Sequence, residues 1–201
     1  MKKTTLFAAA AALLAAVAGP AQAQQAEGPW LVRARAVHLD SSNKDSTGLD
    51  LSINDKWLPE ADCTYFFTPN IAAELILTVP QKQKLSSSVL GGQIGTLKHL
   101  PPVLAAQYHF TNFDGFKPYV GAGVNYTRFS SVHLPAGVTI DKNSWGPALQ
   151  VGVDVPVAKN IYLNFDVKKV YLKTDVFAAG VKAGTFKVDP VLVGVGIGYR
   201  F

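Results

Sequence analysis

The chain has 201 residues, with 19 Lys and Arg against 14 Asp and Glu and a formal charge of +5. Its basic residues are scattered rather than clustered, which removes a nucleic-acid surface, and its single cysteine, Cys63, rules out an intramolecular disulfide and reads as a small apolar wall residue. Beyond the amino-terminal segment no apolar run approaches the ~20 residues that a spanning helix needs.

Lys2 and Lys3 precede an apolar stretch from Leu6 to Ala18, then Gly19-Pro20 and the small-x-small site Ala21-Gln22-Ala23. This is the pattern of a secretory signal, residues 1–23, cleaved after Ala23. Its removal leaves 178 of the 201 residues, 24–201, as one domain, and takes two lysines with it, lowering +5 to +3. Export without a membrane helix leaves a soluble periplasmic domain or a barrel.

From Trp30 onward the sequence alternates with a period of two, the signature of strands. The first segment, Trp30 to Leu39, sends Trp30, Val32, Ala34 and Ala36 to one face and Arg33 and Arg35 to the other. The second, Trp57 to Phe67, separates Trp57, Ala61, Cys63, Tyr65 and Phe67 from Glu60 and Asp62. After the turn Thr68-Pro69-Asn70, Ile71, Ala73, Leu75, Leu77 and Val79 oppose Glu74 and Ile76. A fourth segment sets Leu104, Ala106, Tyr108 and Phe110 against Gln107 and His109, and a fifth sets Val120, Ala122, Val124 and Tyr126 against Gly121, Gly123 and Asn125. The sixth sets Leu149, Val151, Val153 and Val155 outward and turns Gln150 and Asp154 inward; the seventh sets Ile161, Leu163, Phe165 and Val167 outward and turns Asn164, Asp166 and Lys168 inward. The last, Val191 to Phe201, is apolar at every odd position and ends on Tyr199 and Phe201 around Arg200.

Eight segments of about ten residues, short connections at 68–70, 111–116 and 156–160 alternating with long loops at 40–56, 80–98, 130–143 and 174–185, predict an all-β protein: an eight-stranded antiparallel transmembrane β-barrel. Energetics point the same way. Each inward charge would cost several kcal/mol against acyl chains, and one parity spares Arg33, Arg35, Glu60, Asp62, Glu74, His109, Asp154, Asp166, Lys168 and Arg200 together. These predict a polar network in the lumen, either filling a narrow barrel or gating it. The aromatic carboxyl terminus at Phe201 suits an interfacial girdle and is the expected handle for the barrel-assembly machinery.

Several stretches are similar to one known family: Thr68–Leu75 (TPNIAAEL), Lys98–Phe110 (KHLPPVLAAQYHF), Lys117–Tyr126 (KPYVGAGVNY), Ser144–Gly146 with Gln150–Asp154, and Asp189-Pro190 leading to Gly198–Phe201. Together they resemble the OmpW family of outer-membrane proteins. The resemblance runs from Trp57 onward and implies residence in the outer membrane and uptake of small hydrophobic molecules through a narrow, partly apolar lumen. Leu58, Phe66, Ile76, Val103 and Val170 are the apolar lining residues to expect. Pro101 and Pro102 begin the fourth strand, and neither donates a backbone hydrogen bond. Either they open a lateral exit toward the outer leaflet, or they only mark the strand's beginning beyond the membrane.

Two other functions compete with a channel. A structural or adhesive barrel would use its long loops, and Lys82, Lys84 and Lys98 suit contact with anionic lipopolysaccharide. A lipid A-modifying enzyme would need a nucleophile and base, for which His133 with Ser130 or Ser131 is the one rim pairing on offer; no nucleophile motif accompanies it, so no catalytic role is expected. His38, His99, His109 and His133 are not spaced as metal ligands, so neither metal nor cofactor is expected.

Overall fold

The computed structural model describes residues 28–201; the expected signal segment and its cleavage site lie outside the described residues. No helix there is long and apolar enough to cross a membrane. The strands, in chain order, are β1 (Trp30–Asp40), β2 (Lys44–Asp45), β3 (Leu51–Ile53), β4 (Lys56–Phe66), β5 (Ile71–Thr78), β6 (Gln81–Ser87), β7 (Gly92–Leu100) and β8 (Val103–His109). They continue with β9 (Lys117–His133), β10 (Val138–Ile140), β11 (Asn143–Ala158), β12 (Ile161–Val170), β13 (Lys173–Ala178), β14 (Val181–Lys187) and β15 (Val191–Arg200).

Eight of these close on themselves in the order β1, β4, β5, β8, β9, β11, β12, β15, every neighbour antiparallel. Closure leaves no unpaired edge, the condition for crossing lipid with strands. The first and last strands meet along Leu31↔Arg200 to Asp40↔Val191, and Trp30 and Phe201 exchange backbone hydrogen bonds at 3.1 and 2.9 Å.

Burial follows parity except at Val155, which the alternation places outward and which is buried beside Asp154 where β11 approaches its irregularity between Pro156 and Ala158. On β1 the side chains alternate between exposed and buried from Trp30 to Val37, and the outward residues Leu75, Leu77, Leu104, Val120, Val124, Leu149, Val151, Val167, Val193 and Ile197 form an apolar band. Two aromatic girdles bound it. Trp30–Tyr65, Tyr65–Phe67, Tyr108–Phe110 and Tyr199–Phe201 ring contacts mark the end with the short turns; His38–Trp57 and Tyr126–Trp145 mark the other. Trp57 on β4 and Phe67, one residue past its end, are ten residues apart, ~33 Å of extended chain. At the ~40° tilt usual for such barrels this gives ~25 Å, the height of an outer-membrane apolar band.

Beyond the second girdle the structure departs from the sequence expectation. The stretches expected to be long loops are folded. β9 runs on past the girdle to His133, and β7, β6 and β3 extend the barrel wall beside it. Facing them is a separate sheet in the order β10, β13, β14, β2. Leu51, Ile53, Leu85, Leu97, Phe129, Leu172, Val176, Phe186 and Val188 pack between the two as a core of their own. The turn expected at 156–160 is also tighter: β11 continues to Ala158 through an irregularity between Pro156 and Ala158, leaving Lys159 and Asn160 as the connection. Asn160 takes a positive φ of 64°, which asparagine tolerates.

Candidate functional site: the lumen and its cap

The inward faces of the eight strands divide the lumen into three floors. At the short-turn end Leu31, Phe66, Ala72 and Tyr162 form a small apolar cluster. The Arg200 guanidinium lies 3.8 Å from the centre of the Phe66 ring and donates to the Gly28 carbonyl at 2.8 Å. His109 sits between Phe66 and Tyr119, with ring centres at 4.7 and 4.9 Å.

The middle floor is a polar plug. Arg33 donates through Nε and Nη2 to both oxygens of Asp154 at 3.0 and 2.6 Å, and through Nη1 to Asp62 and Thr64, both at 2.9 Å. Arg35 reaches Glu60 and Glu74, each at 2.9 Å. Lys168 donates to Glu60 at 2.7 Å and to Asp166 at 2.6 Å. Glu74 also accepts from Gln107 and Gln150, at 2.7 and 2.6 Å, while Tyr119 donates to Asp166 and Asn164 to Asp154. Arg33 and Glu74 are completely buried. Charges taken from water at this depth persist only when paired and hydrogen-bonded on several sides, as here. Glycine makes the room: a Cβ on Gly152 would overlap the Tyr119 ring, and one on Gly196 would overlap the Arg35 side chain and the Ala34 carbonyl.

Above the plug lies an apolar belt of Val37, Leu39, Leu58, Ile76, Val103, Ala105, Ala148, Val170 and Leu192. It encloses a cavity of about 20 Å³, little more than one water's space, walled also by Pro101, Leu172 and Pro190, with Glu60 and Lys168 contributing from the plug and Gln81 and His99 from the cap hairpin. Leu172 belongs at once to this wall and to the core between the two cap sheets, so lumen and cap interior are continuous in apolar surface.

The wall beside this cavity is discontinuous. β5 and β8 pair only as far as Ile76↔Val103, and the ladder resumes between β6 and β7 at Gln81↔His99. Between them stand Leu77 to Pro80 on one side and Leu100 to Pro102 on the other. The Pro102 carbonyl accepts from the Tyr126 N–H at 3.1 Å and from Asn125 Nδ2 at 3.0 Å, so β8 stays joined to β9 while facing β5 without a donor.

Of the expected lining residues, Leu58, Ile76, Val103 and Val170 share the belt. Phe66 is a correction: it lies below the plug, because four residues separate it from Asp62 on the inward face of β4. Of the expected network, Arg33, Arg35, Glu60, Asp62, Glu74, Asp154, Asp166 and Lys168 are joined by the bonds above, and His109 attaches through Gln107 at 2.9 Å. Arg200 is the second correction, set at the foot of the barrel by its place beside Leu31 on the ladder. Sequence reasoning missed Val37 and Leu39 of the belt, which carry the same parity as Arg33 and Arg35, Leu192, which carries that of Arg200, and Tyr119, one residue before an outward valine. His133 turns Nδ1 to the Ser131 backbone carbonyl at 2.9 Å rather than to a hydroxyl. Among the described residues no cluster of His, Cys, Asp and Glu could hold a metal ion.

A narrow closed barrel of eight strands, girdled twice by aromatics and plugged by buried ion pairs, is an outer-membrane architecture. The OmpW family model matches residues 26–201. The chain belongs to the OmpW family. It is 42% identical to the outer-membrane protein y4mB of Sinorhizobium fredii, over 96% of this chain and 90% of that one. It is 31% identical to the dibenzothiophene metabolism operon protein PahQ of Pseudomonas aeruginosa, over 81% of this chain and 74% of that one. The solution structure of Escherichia coli outer membrane protein W superposes with a TM-score of 0.66 at 29% identity, covering 89% of this chain and 100% of that one. This OmpW-family barrel therefore resides in the outer membrane, its short turns toward the periplasm and its cap outside.

Proposed function

We propose that the protein admits small hydrophobic molecules from outside and releases them sideways into the outer leaflet. The observation that carries this reading is the pairing gap between Ile76↔Val103 and Gln81↔His99, beside an apolar cavity whose floor is the ion-paired plug. A solute that reaches the belt has an apolar route outward through that gap and a charged barrier below it. Moving an apolar body past fully buried ion pairs would strand charges at several kcal/mol each. The name of PahQ ties that relative to metabolism of dibenzothiophene, an apolar aromatic, which agrees with such cargo.

Export by residues 1–23, assembly through the terminal strand ending at Phe201, and contact of Lys82, Lys84 and Lys98 with lipopolysaccharide complete the proposal. All three lysines are exposed on β6 and β7, above the second girdle, at the height of anionic head groups. The mechanism involves no covalent step.

Uptake of a small apolar fluorescent probe tests this, in outer-membrane-defective reporter cells with matched surface expression of wild type, empty vector and the Pro101→Ala/Pro102→Ala variant. Faster uptake than vector, lost in the variant, is the expected result. Uptake retained by the variant removes the lateral exit; uptake equal to vector removes the channel.

A further inference from the structure

Between the cap core and the apolar belt the β6–β7 hairpin turns polar side chains inward. On the inner face of the β6–β7 hairpin, Gln81 lies opposite His99 and Gln83 opposite Leu97, so Gln83 and His99 are diagonal neighbours. His99 is 1% exposed and Gln83 wholly buried. Gln81 donates to the Val79 carbonyl at 2.9 Å, but His99 Nε2 and both amide atoms of Gln83 have no hydrogen-bond partner. The nearby polar groups of β9 are engaged with each other and with Pro102: Thr127 donates to Asn125 at 2.7 Å and Asn125 to the Pro102 carbonyl.

Three unpartnered polar atoms in one buried patch are costly, and such groups are retained where something else uses them. Their position indicates the user. His99 lines the cavity above the plug, and Gln83 stands next to it toward Leu85 and Leu97 of the cap core. A solute that enters the belt along the β6–β7 hairpin meets this patch. Gln83 offers both a donor and an acceptor without charge. His99 does the same, because burial, with Lys56 adding to it, holds its pKa down to about 4.

We infer that Gln83 and His99 form a hydrogen-bonding station that favours solutes carrying one neutral polar group, an alcohol or a carbonyl, on an apolar body over plain hydrocarbons. The inference rests on the uptake reading above. An ionised head group finds no uncommitted buried counter-charge at the station, since Lys168 and Glu60 on the cavity floor already pair with each other at 2.7 Å and the half-buried Lys56 donates to the Lys82 carbonyl at 3.4 Å.

The test compares 1-octanol with n-octane in the same reporter cells, using wild type, His99→Leu, Gln83→Leu and the conservative His99→Gln, at matched surface expression. The leucine variants are expected to lower octanol uptake about three- to tenfold, the worth of one hydrogen bond, leave octane unchanged or faster, and be rescued in His99→Gln. An unchanged octanol-to-octane ratio in both leucine variants overturns the station. If wild type takes up neither compound faster than vector, the uptake reading fails. Nitrogen NMR of histidine-labelled barrel in lipid nanodiscs then decides separately: a His99 Nε2 shift with octanol but not octane sustains the station as a binding site, and no shift overturns it.

Discussion

Arg33 and Asp154, 121 residues apart in sequence, face each other across the lumen with two hydrogen bonds at 3.0 and 2.6 Å. The pair joins β1 to β11, strands that share no ladder, so it braces the barrel across its diameter rather than along its wall. Five carboxylates, Glu60, Asp62, Glu74, Asp154 and Asp166, surround three cations, Arg33, Arg35 and Lys168.

Removing Asp154 leaves the Arg33 fork half-satisfied in a dry lumen. Asp154→Ala is expected to destabilise the barrel by about 3–5 kcal/mol, the usual result of breaking one side of a buried ion pair. Asp154→Asn keeps one acceptor and should lose less. Urea titrations of the two variants in the same micelles measure the difference; equal midpoints with wild type would mean that the brace contributes nothing.

Gly152 is as constrained as the charges it neighbours. Gly152→Ala places a methyl in the Tyr119 ring, and displacing that ring breaks the Tyr119–Asp166 bond of 2.9 Å. An overpacking cost of about 1–3 kcal/mol is expected, visible as a lower unfolding midpoint. The double change Gly152→Ala with Tyr119→Phe should recover nothing, because the clash involves the ring as well as the hydroxyl.

The barrel was legible in the sequence because lipid enforces parity: Arg33, Asp62, Glu74 and Asp154 each fall on the inward phase of an otherwise apolar alternation, and no other assignment keeps them from acyl chains. The cap was not legible, since its strands have no such constraint. Gln81-Lys82-Gln83-Lys84 alternates between two polar types, and β2, β3 and β10 are two or three residues long, too short for a period to register. What holds them is tertiary packing of Leu51, Leu85, Phe129 and Phe186, residues distant in sequence. In the site, parity identified which face a side chain takes but not its height, which is why Phe66 and Arg200, both inward, stand below the belt and the plug rather than in them.

Acid should loosen the cap before the barrel. Partial burial pushes the Asp45 carboxyl up, but hydrogen bonds from Thr47 N–H, the Thr47 hydroxyl and Leu51 N–H outweigh it and hold it below the usual carboxylate range. That stabilisation is present above the unfolded carboxylate's pKa and disappears as pH falls through the lower folded value. His99 acts at higher pH. With its folded pKa near 4 and an unfolded value near 6.5, the folded cap refuses a proton that the unfolded chain accepts. Stability is therefore full above about 6.5 and declines toward 4, by roughly 3 kcal/mol. Protease susceptibility of β6 and β7 between pH 7.5 and 4 reads this, and His99→Gln should flatten the upper part of the profile while Asp45→Asn flattens only the acid end.

Position relative to the plug separates two routes for a solute. Val103 lines the cavity above the plug and ends the β5–β8 ladder; Phe66 lies below it. Under sideways release, Val103→Trp fills a space of about 20 Å³ and should abolish probe uptake, whereas Phe66→Ala, which enlarges only the periplasmic floor, should leave the rate at the wild-type value despite a stability cost of about 3–5 kcal/mol. An axial route reverses the second expectation: widening the floor beneath the plug would then speed delivery to the periplasm. Measuring uptake of one apolar probe in both variants, each matched to wild type for folded protein at the surface, distinguishes the two, and accelerated uptake in Phe66→Ala would move the exit from the wall to the axis.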